Sequence, residues 1–375
     1  MRFVHTADWQ IGKPFRPFGE RAAVLRQARL IAIERIGALA VREGAGHVLV
    51  AGDVYDSDAP EARTLLEPLE RMRHYPGVVW HLVPGNHDPH RPKAVWDRVR
   101  EAGPPPNVRL HLAPEPAPLG PEAVLLPAAL VRKSESGDLT EWMDRAETPP
   151  GAIRIGLAHG SVVGFGVGGE ANNPIDPARP ARARLDYLAL GDWHRTVQIG
   201  PAAWYAGTPE PDRAGSQEVG QALVVDIAGP GAPPVVTPHA VGSYRWLTRE
   251  ERLDDADGLA DLDARLRALP ELSATILRLV LAGTLPLAGR TELDRRLLGL
   301  AAALFHLEVD DAGLRIRPTA ADLEAIDFGG VLRQAADRLK AMADDEAAPA
   351  AERRVAEEAL VELYLRAAGE DGAAP

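Results

Sequence analysis

Five short apolar runs in this sequence each end in side chains that carry oxygen or imidazole nitrogen, the donor set for hard and borderline divalent cations. Phe3-Val4-His5-Thr6-Ala7 ends at Asp8, with Gln10 close behind, and His47-Val48-Leu49-Val50-Ala51 ends at Gly52-Asp53. Val78 to Val83 ends in Pro84-Gly85-Asn86-His87-Asp88, Ile153 to Ala158 ends at His159, and Tyr187 to Leu190 ends in Gly191-Asp192-Trp193-His194. One acidic residue after one strand means little, because such residues often cap a turn. The repetition predicts a polynuclear metal site, whose chemistry is polarisation of a bound ester and activation of water. The chain has no cysteine, so thiolate ligands, cysteine nucleophiles and disulfides are excluded.

The elements that must position these side chains can be read from the same runs. Apolar stretches that stop at glycine are the pattern of strands covered on both faces, as in a helix-flanked sheet. Carboxylates at their carboxyl ends face the crevice where open α/β sheets hold ligands. Periodic apolar residues over Glu20–Glu43 and Glu61–His74 predict helices between the first three strands, giving right-handed βαβ units. Val108–Leu112 and Ala123–Leu126 are expected as antiparallel strands, and the Gly/Pro-rich loop between His159 and Leu185 as a functional loop. Further strands are expected near Trp204, over Ala222–Ile227, Val235–Ala240 and Tyr244–Thr248.

From Tyr244 onward an α+β pattern follows: a helix over Gly258–Leu269, a strand over Thr275–Leu281, a helix over Arg290–Leu304, and two short strands, His306–Val309 and Leu314–Arg317. Two helices, Ala320–Asp345 and Ala350–Ala368, close the chain. Their apolar positions (Val331, Leu332, Ala335, Leu339 and Met342, then Val355, Ala359, Leu360 and Leu363) form faces that need covering. The boundaries read as 1–243, 244–319 and 320–375.

At 375 residues the chain is long enough for two domains. A formal charge of −12 argues against general polyanion binding through lysine and arginine, although bound cations would make a cleft attractive to phosphate. No window reaches eighteen apolar residues and no charged leader opens the chain, so a cytoplasmic protein with no membrane partner is expected. His5, His47 and His81 are read as buried strand histidines, and His74, His90 and His111 as surface or loop residues. Trp9 and Trp193 are expected in core packing ahead of stacking on a base. Lys13, Arg16 and Arg91 are read as solvated loop charges or contacts to a nucleic-acid backbone. Asp56 is expected to act beside the ligands and not as one.

In order and spacing over about residues 1–210, the segments HTADWQ, GDVYD, GNHD, AHG and GDWH resemble the calcineurin-like metallophosphoesterases, most closely the nuclease subunit of SbcCD-type DNA repair exonucleases. The resemblance implies an α/β sandwich of two mixed sheets flanked by helices, a C-terminal α+β cap and terminal helices. It implies two divalent ions bridged by Asp53, one also held by Asp8, Gln10 and His194, the other by Asn86, His159 and Asp192. It makes His87 the residue that meets the substrate phosphate, and Asp88 the group that orients its imidazole. Gln10 and Asp192 stand where histidines are usual, which favours Mn²⁺ or Mg²⁺ over softer ions. The implied activity is a metal-dependent phosphodiesterase acting on DNA in repair, with an SMC-like coiled-coil ATPase of the SbcC type docking on the C-terminal helices. Dimerisation through the Glu61–His74 helix is a further implication. Two rivals stay open: a small-nucleotide phosphodiesterase or phosphatase, and a catalytically weakened DNA-tethering scaffold motivated by Gln10 and Asp192.

Overall fold

The computed structural model describes residues 1–165, 172–215, 217–255, 258–316, 330–345 and 347–370. The chain divides into two compact units, Met1–Trp246 and Leu247–Pro375, with the division inside one long strand. In the first unit, β1 (Arg2–Thr6), α1 (Ala22–Arg42), β2 (His47–Ala51), α2 (Ala62–Arg73), β3 (Val79–Val83), α3 (Val95–Ala102) and β4 (Val108–Leu110) follow in order. β1 to β4 are parallel neighbours, and β13 (Val219–Asp226) and the first half of β14 (Val235–Leu253) add antiparallel strands beyond β1.

The second sheet contains β5 (Ala117–Pro118), β6 (Ala123–Ala128), β7 (Ile153–His159), β10 (Tyr187–Gly191), β11 (Val197–Gly200) and β12 (Ala203–Tyr205). Its central strands β6, β7, β10 and β12 are parallel, and β5 and β11 close its edges antiparallel. A pair of two-residue strands, β8 (Ser161–Val162) and β9 (Pro174–Ile175), and a single helical turn, α4 (Arg179–Arg182), lie between β7 and β10.

Alternation of side chains explains why the strands read as unbroken apolar runs. Along β1, Val4 faces helices α1 to α3 while Phe3 faces the space between the sheets. Phe3, Leu49 and Val83 meet Leu157 and Ala189 of the other sheet there. Both faces are dry, so neither shows the polar alternation of a half-exposed strand. The parallel strands of both sheets carry the candidate ligands at their carboxyl ends.

Two expectations about pairing are corrected. Val108–Leu110 and Ala123–Ala128 are not partners: the first lies parallel beside β3, and the second lies between β7, to which it is parallel, and β5, to which it is antiparallel. The segments expected as two strands each on either side of Gly242 and of Asp311 are single strands, Val235–Leu253 and His306–Ile316. The chain passes through these points with register shifts instead of turns.

His111, read as a surface or loop residue, lies in the loop after β4 and is half-buried as part of a chain of imidazoles. His47 Nδ1 lies 3.0 Å from His81 Nε2, and His81 Nδ1 lies 2.9 Å from His111 Nε2. Burial lowers His81 to about 2 and His111 to about 4. Both therefore stay neutral when folded but titrate near 6.5 when unfolded, so the stability they allow is fully present above that pH and is lost as pH falls below it. The gap in unfolding free energy between the protein and His81→Gln is expected to shrink by about 2 kcal/mol between pH 7.5 and pH 5.0, at roughly 1.4 kcal/mol per unit below 6.5. Urea unfolding at the two pH values measures it, and an unchanged gap would mean that His81 is protonated in the fold.

The second unit pairs β15 (Thr275–Leu285) in parallel with β16 (His306–Ile316) and adds α5 (Gly258–Arg267) and α6 (Leu287–Ala303) around a leucine-rich core. Helices Val331–Asp344 and Ala350–Glu370 pack on each other through Ala336, Leu339, Leu360 and Leu363. That pairing covers part of the expected apolar faces and leaves Val331, Leu332, Met342 and Val355 exposed. The expected helix start at Ala320 and strand end at Arg317 lie outside the described residues.

Candidate metal centre

Asp8, Gln10 and Asp53 follow β1 and β2, Asn86 follows β3, His159 ends β7, and Asp192 and His194 follow β10. The two sheets thus aim their carboxyl ends at one place. The turns that carry the side chains there are unusual: among the described residues nine non-glycine positions have positive φ, and Asp8, Gln10, Asp53 and Asp192 are four of them. Such backbone costs of order 1–3 kcal/mol per residue and clusters where function holds it.

His159 is the centre of the group. Its Nδ1 donates to the Ala51 carbonyl at 2.9 Å, which fixes the ring and turns Nε2 to the centre. That nitrogen lies 2.8 Å from Asn86 Oδ1, 3.6 Å from Asp53 Oδ1 and 3.8 Å from Asp192 Oδ1. Asp8 Oδ1 is 3.9 Å from the ring, and the Asp192 amide donates to both Asp8 oxygens. Asp8, Asp53 and His159 offer ligand atoms within 4.8 Å of one another.

Charge makes the same point. Burial pushes the Asp8 carboxyl up to about 6, against the pull of His194 and His159 and with the push of Asp53 and Asp192. Burial disfavours a charged His159, yet Asp53, Asp8 and Asp192 together outweigh it and raise the imidazole to about 9. Buried carboxylates this close need compensating positive charge, and oxygen and imidazole donors are what divalent cations take. The donor set fits a metal centre.

His87 stands at the rim, with its side chain 40% exposed and Nε2 4.0 Å from Asp53 Oδ2. Its backbone amide donates to Asp53 Oδ1 at 2.8 Å. Its Nδ1 donates to the Asp56 carbonyl at 3.1 Å, so Asp56 and not Asp88 orients the ring. Asp88 instead accepts from the Tyr55 and Gly85 amides, tying the two ligand-bearing loops together. Burial, followed by Asp53, pushes its carboxyl up to about 7.

Sequence reasoning passed over Asp212. Its Oδ1 accepts from His194 Nδ1 at 3.3 Å, leaving Nε2 turned to the centre, and its Oδ2 pairs with Lys13 Nζ at 2.7 Å. Burial would raise this carboxyl, but His194, Arg29 and Lys13 hold it well below the usual range. A carboxylate behind a ligating histidine is a recurrent device for fixing its tautomer. Lys13 is therefore no solvated loop charge: it also donates to Gln10 Oε1 at 2.9 Å. The two tryptophans part company, since Trp9 is 1% exposed in the core and Trp193 is 41% exposed.

Residues 1–177 match the calcineurin-like phosphoesterase family. That stretch, which carries β1 to β4, β6, β7 and their ligand-bearing ends, is similar to the calcineurin-like phosphoesterases. The two mixed sheets with flanking helices and the donor cluster are those of a metal-dependent phosphoesterase. The chain is similar to the D subunit of the nuclease SbcCD from Rhodobacter capsulatus, 29% identical, with 73% of this chain and 76% of that one covered. Among solved structures, TT1561 of Thermus thermophilus aligns with 64% of this chain and 98% of its own, at 13% identity and a TM-score of 0.41. Among the described residues no helix is long and apolar enough to cross a membrane.

Proposed function

We propose that this metallophosphoesterase is a two-ion phosphodiesterase that cleaves DNA and works with an SMC-like coiled-coil ATPase in repair. The observation that carries the hydrolytic reading is the meeting of Asn86, Asp53 and Asp192 oxygens around Nε2 of His159. The similarity to a component of the nuclease SbcCD supports DNA as substrate and the ATPase as partner. Divalent ions in such a centre polarise the phosphoryl oxygens and activate a nucleophilic water. Asp8, Gln10, Asp53 and His194 would hold one, and Asp53, Asn86, His159 and Asp192 the other. An all oxygen and imidazole set with three carboxylates favours Mn²⁺ or Mg²⁺.

The chain's own contributions are orientation and proton movement. The Asp56 carbonyl holds Nδ1–H of His87, which leaves Nε2 over the cleft to meet a phosphate or to protonate the leaving alkoxide. Trp193 lines a cavity of about 290 Å³ with His194, Arg195 and Arg213, where a base could stack and a phosphate be paired. Exposed Val331, Leu332, Met342 and Val355 on the terminal helices are where the ATPase would dock.

The test compares manganese-dependent turnover of end-labelled linear duplex DNA, bis-p-nitrophenyl phosphate and cyclic nucleotides. Cleavage of the DNA supports the proposal. Turnover of the small esters alone identifies a small-nucleotide phosphodiesterase, and DNA-end binding without any cleavage identifies a tethering scaffold. Within the same assay, His87→Gln is expected to lower turnover about 10²-fold or more, in the range of a lost general acid, while bound manganese is unchanged. Loss of metal from that variant would make His87 a ligand.

A further inference from the structure

The two sides of the centre differ in how their ligand atoms are already satisfied. On the side of Asn86 and His159 no ammonium intervenes: Nδ1 of the imidazole is committed to Ala51, and its Nε2 faces the Asn86 oxygen 2.8 Å away, with Asp53 and Asp192 oxygens at 3.6 and 3.8 Å. A proton held between such donors is one that a binding divalent ion can displace.

The side of Gln10 and His194 is closed. Lys13 Nζ has only hydrogens to offer, so the amide atom 2.9 Å from it must be the oxygen. The Gln10 NH₂ then points at His194 Nε2, 3.3 Å away, and donates to the lone pair that would ligate. His194 Nδ1 is held by Asp212, whose other oxygen takes Lys13 at 2.7 Å. The buried Arg29 guanidinium adds a second fixed positive charge 3.9 Å from the same carboxylate. Amide, imidazole and carboxylate therefore pair among themselves and with an ammonium.

We propose that this chain binds its divalent ions unequally: one tightly, through Asp53, Asn86, His159 and Asp192, and a second only weakly, through Asp8, Gln10 and His194, because Lys13 occupies the Gln10 oxygen and supplies positive charge beside that position. The inference rests on the metal-dependent reading above and deepens it. Lys13 is a positioning residue that sets ion occupancy. An amide replaces the usual imidazole at position 10 with an oxygen that a lysine can hold, which no histidine nitrogen at that position could match while still ligating.

Equilibrium dialysis against Mn²⁺ with elemental analysis, alongside electron paramagnetic resonance of the bound ion, tests this without reference to turnover. The full-length protein is expected to fill one position first and to show the spectrum of an isolated ion, the second position requiring about 100-fold more manganese. Lys13→Met should narrow that gap about tenfold and bring out the exchange-coupled spectrum of an ion pair at lower concentration, whereas Lys13→Arg, which keeps the charge, should not. Lys13→Gln serves if methionine prevents folding, with circular dichroism as the check. Two equally tight ions in the unaltered protein, or a gap indifferent to Lys13→Met, would overturn the inference and leave the phosphodiesterase reading intact. Failure to bind manganese at either position would overturn that reading itself.

Discussion

Asp53→Ala is expected to lower phosphodiester hydrolysis by about 10³-fold or more, since the role proposed for Asp53, a ligand shared between two ions, would contribute several kcal/mol to stabilising charge in the transition state. Asp53 is the residue whose position makes this so. Its Oδ1 is fixed by the His87 amide at 2.8 Å and lies 3.6 Å from His159 Nε2, while Oδ2 faces the His87 ring. A Cβ on Gly85 would fall 2.2 Å from Oδ1, so the neighbouring loop reaches this carboxylate only because position 85 is glycine. Turnover within tenfold of normal for Asp53→Ala would remove Asp53 from the centre.

Gly191→Ala should be among the most damaging small substitutions in the first unit. Gly191 ends β10 where the two sheets come together, and a Cβ there would meet the Ala51 carbonyl oxygen at 2.0 Å, Ala7 Cβ at 2.8 Å and His159 Nδ1 at 2.9 Å. The nearest obstacle is backbone of β2, which cannot rotate away, so the sheets must part. We expect a loss of about 3 kcal/mol or more, at the upper end of overpacking effects, together with loss of activity, because the same shift breaks the bond from His159 to Ala51. Gly200→Ala is the control: nothing lies within 4 Å of its Cβ position. Chemical denaturation of the pair decides it, and equal stabilities would show that the sheet ends tolerate separation.

The features legible in the sequence were those that local pattern dictates. Apolar runs ending in Asp8, Asp53, Asn86, His159 and Asp192 had to be buried strands, and strand ends in parallel sheets face one side, so their convergence followed from chain direction alone. Both helices between the first three strands were set by the spacing of their apolar residues, to within two residues at each end.

What the sequence could not give were pairings between residues far apart in the chain. Asp212 behind His194 and the His47–His81–His111 chain join segments whose neighbours carry no periodic signal, and Lys13, though near Gln10 in the chain, meets its side chain only through the turn that the loop takes. Asp88 and Asp56 both sit near His87 in pattern terms, and only the path of the two loops makes one the ring's partner and the other a tie between backbones. Trp9 and Trp193 likewise flank candidate ligands alike, yet one packs inward and the other faces solvent. Hydrophobic periodicity specifies which face of an element is buried, because burial free energy depends on area and not on partner. Hydrogen bonds and ion pairs depend on distance and direction, and those exist only once the sheets have packed.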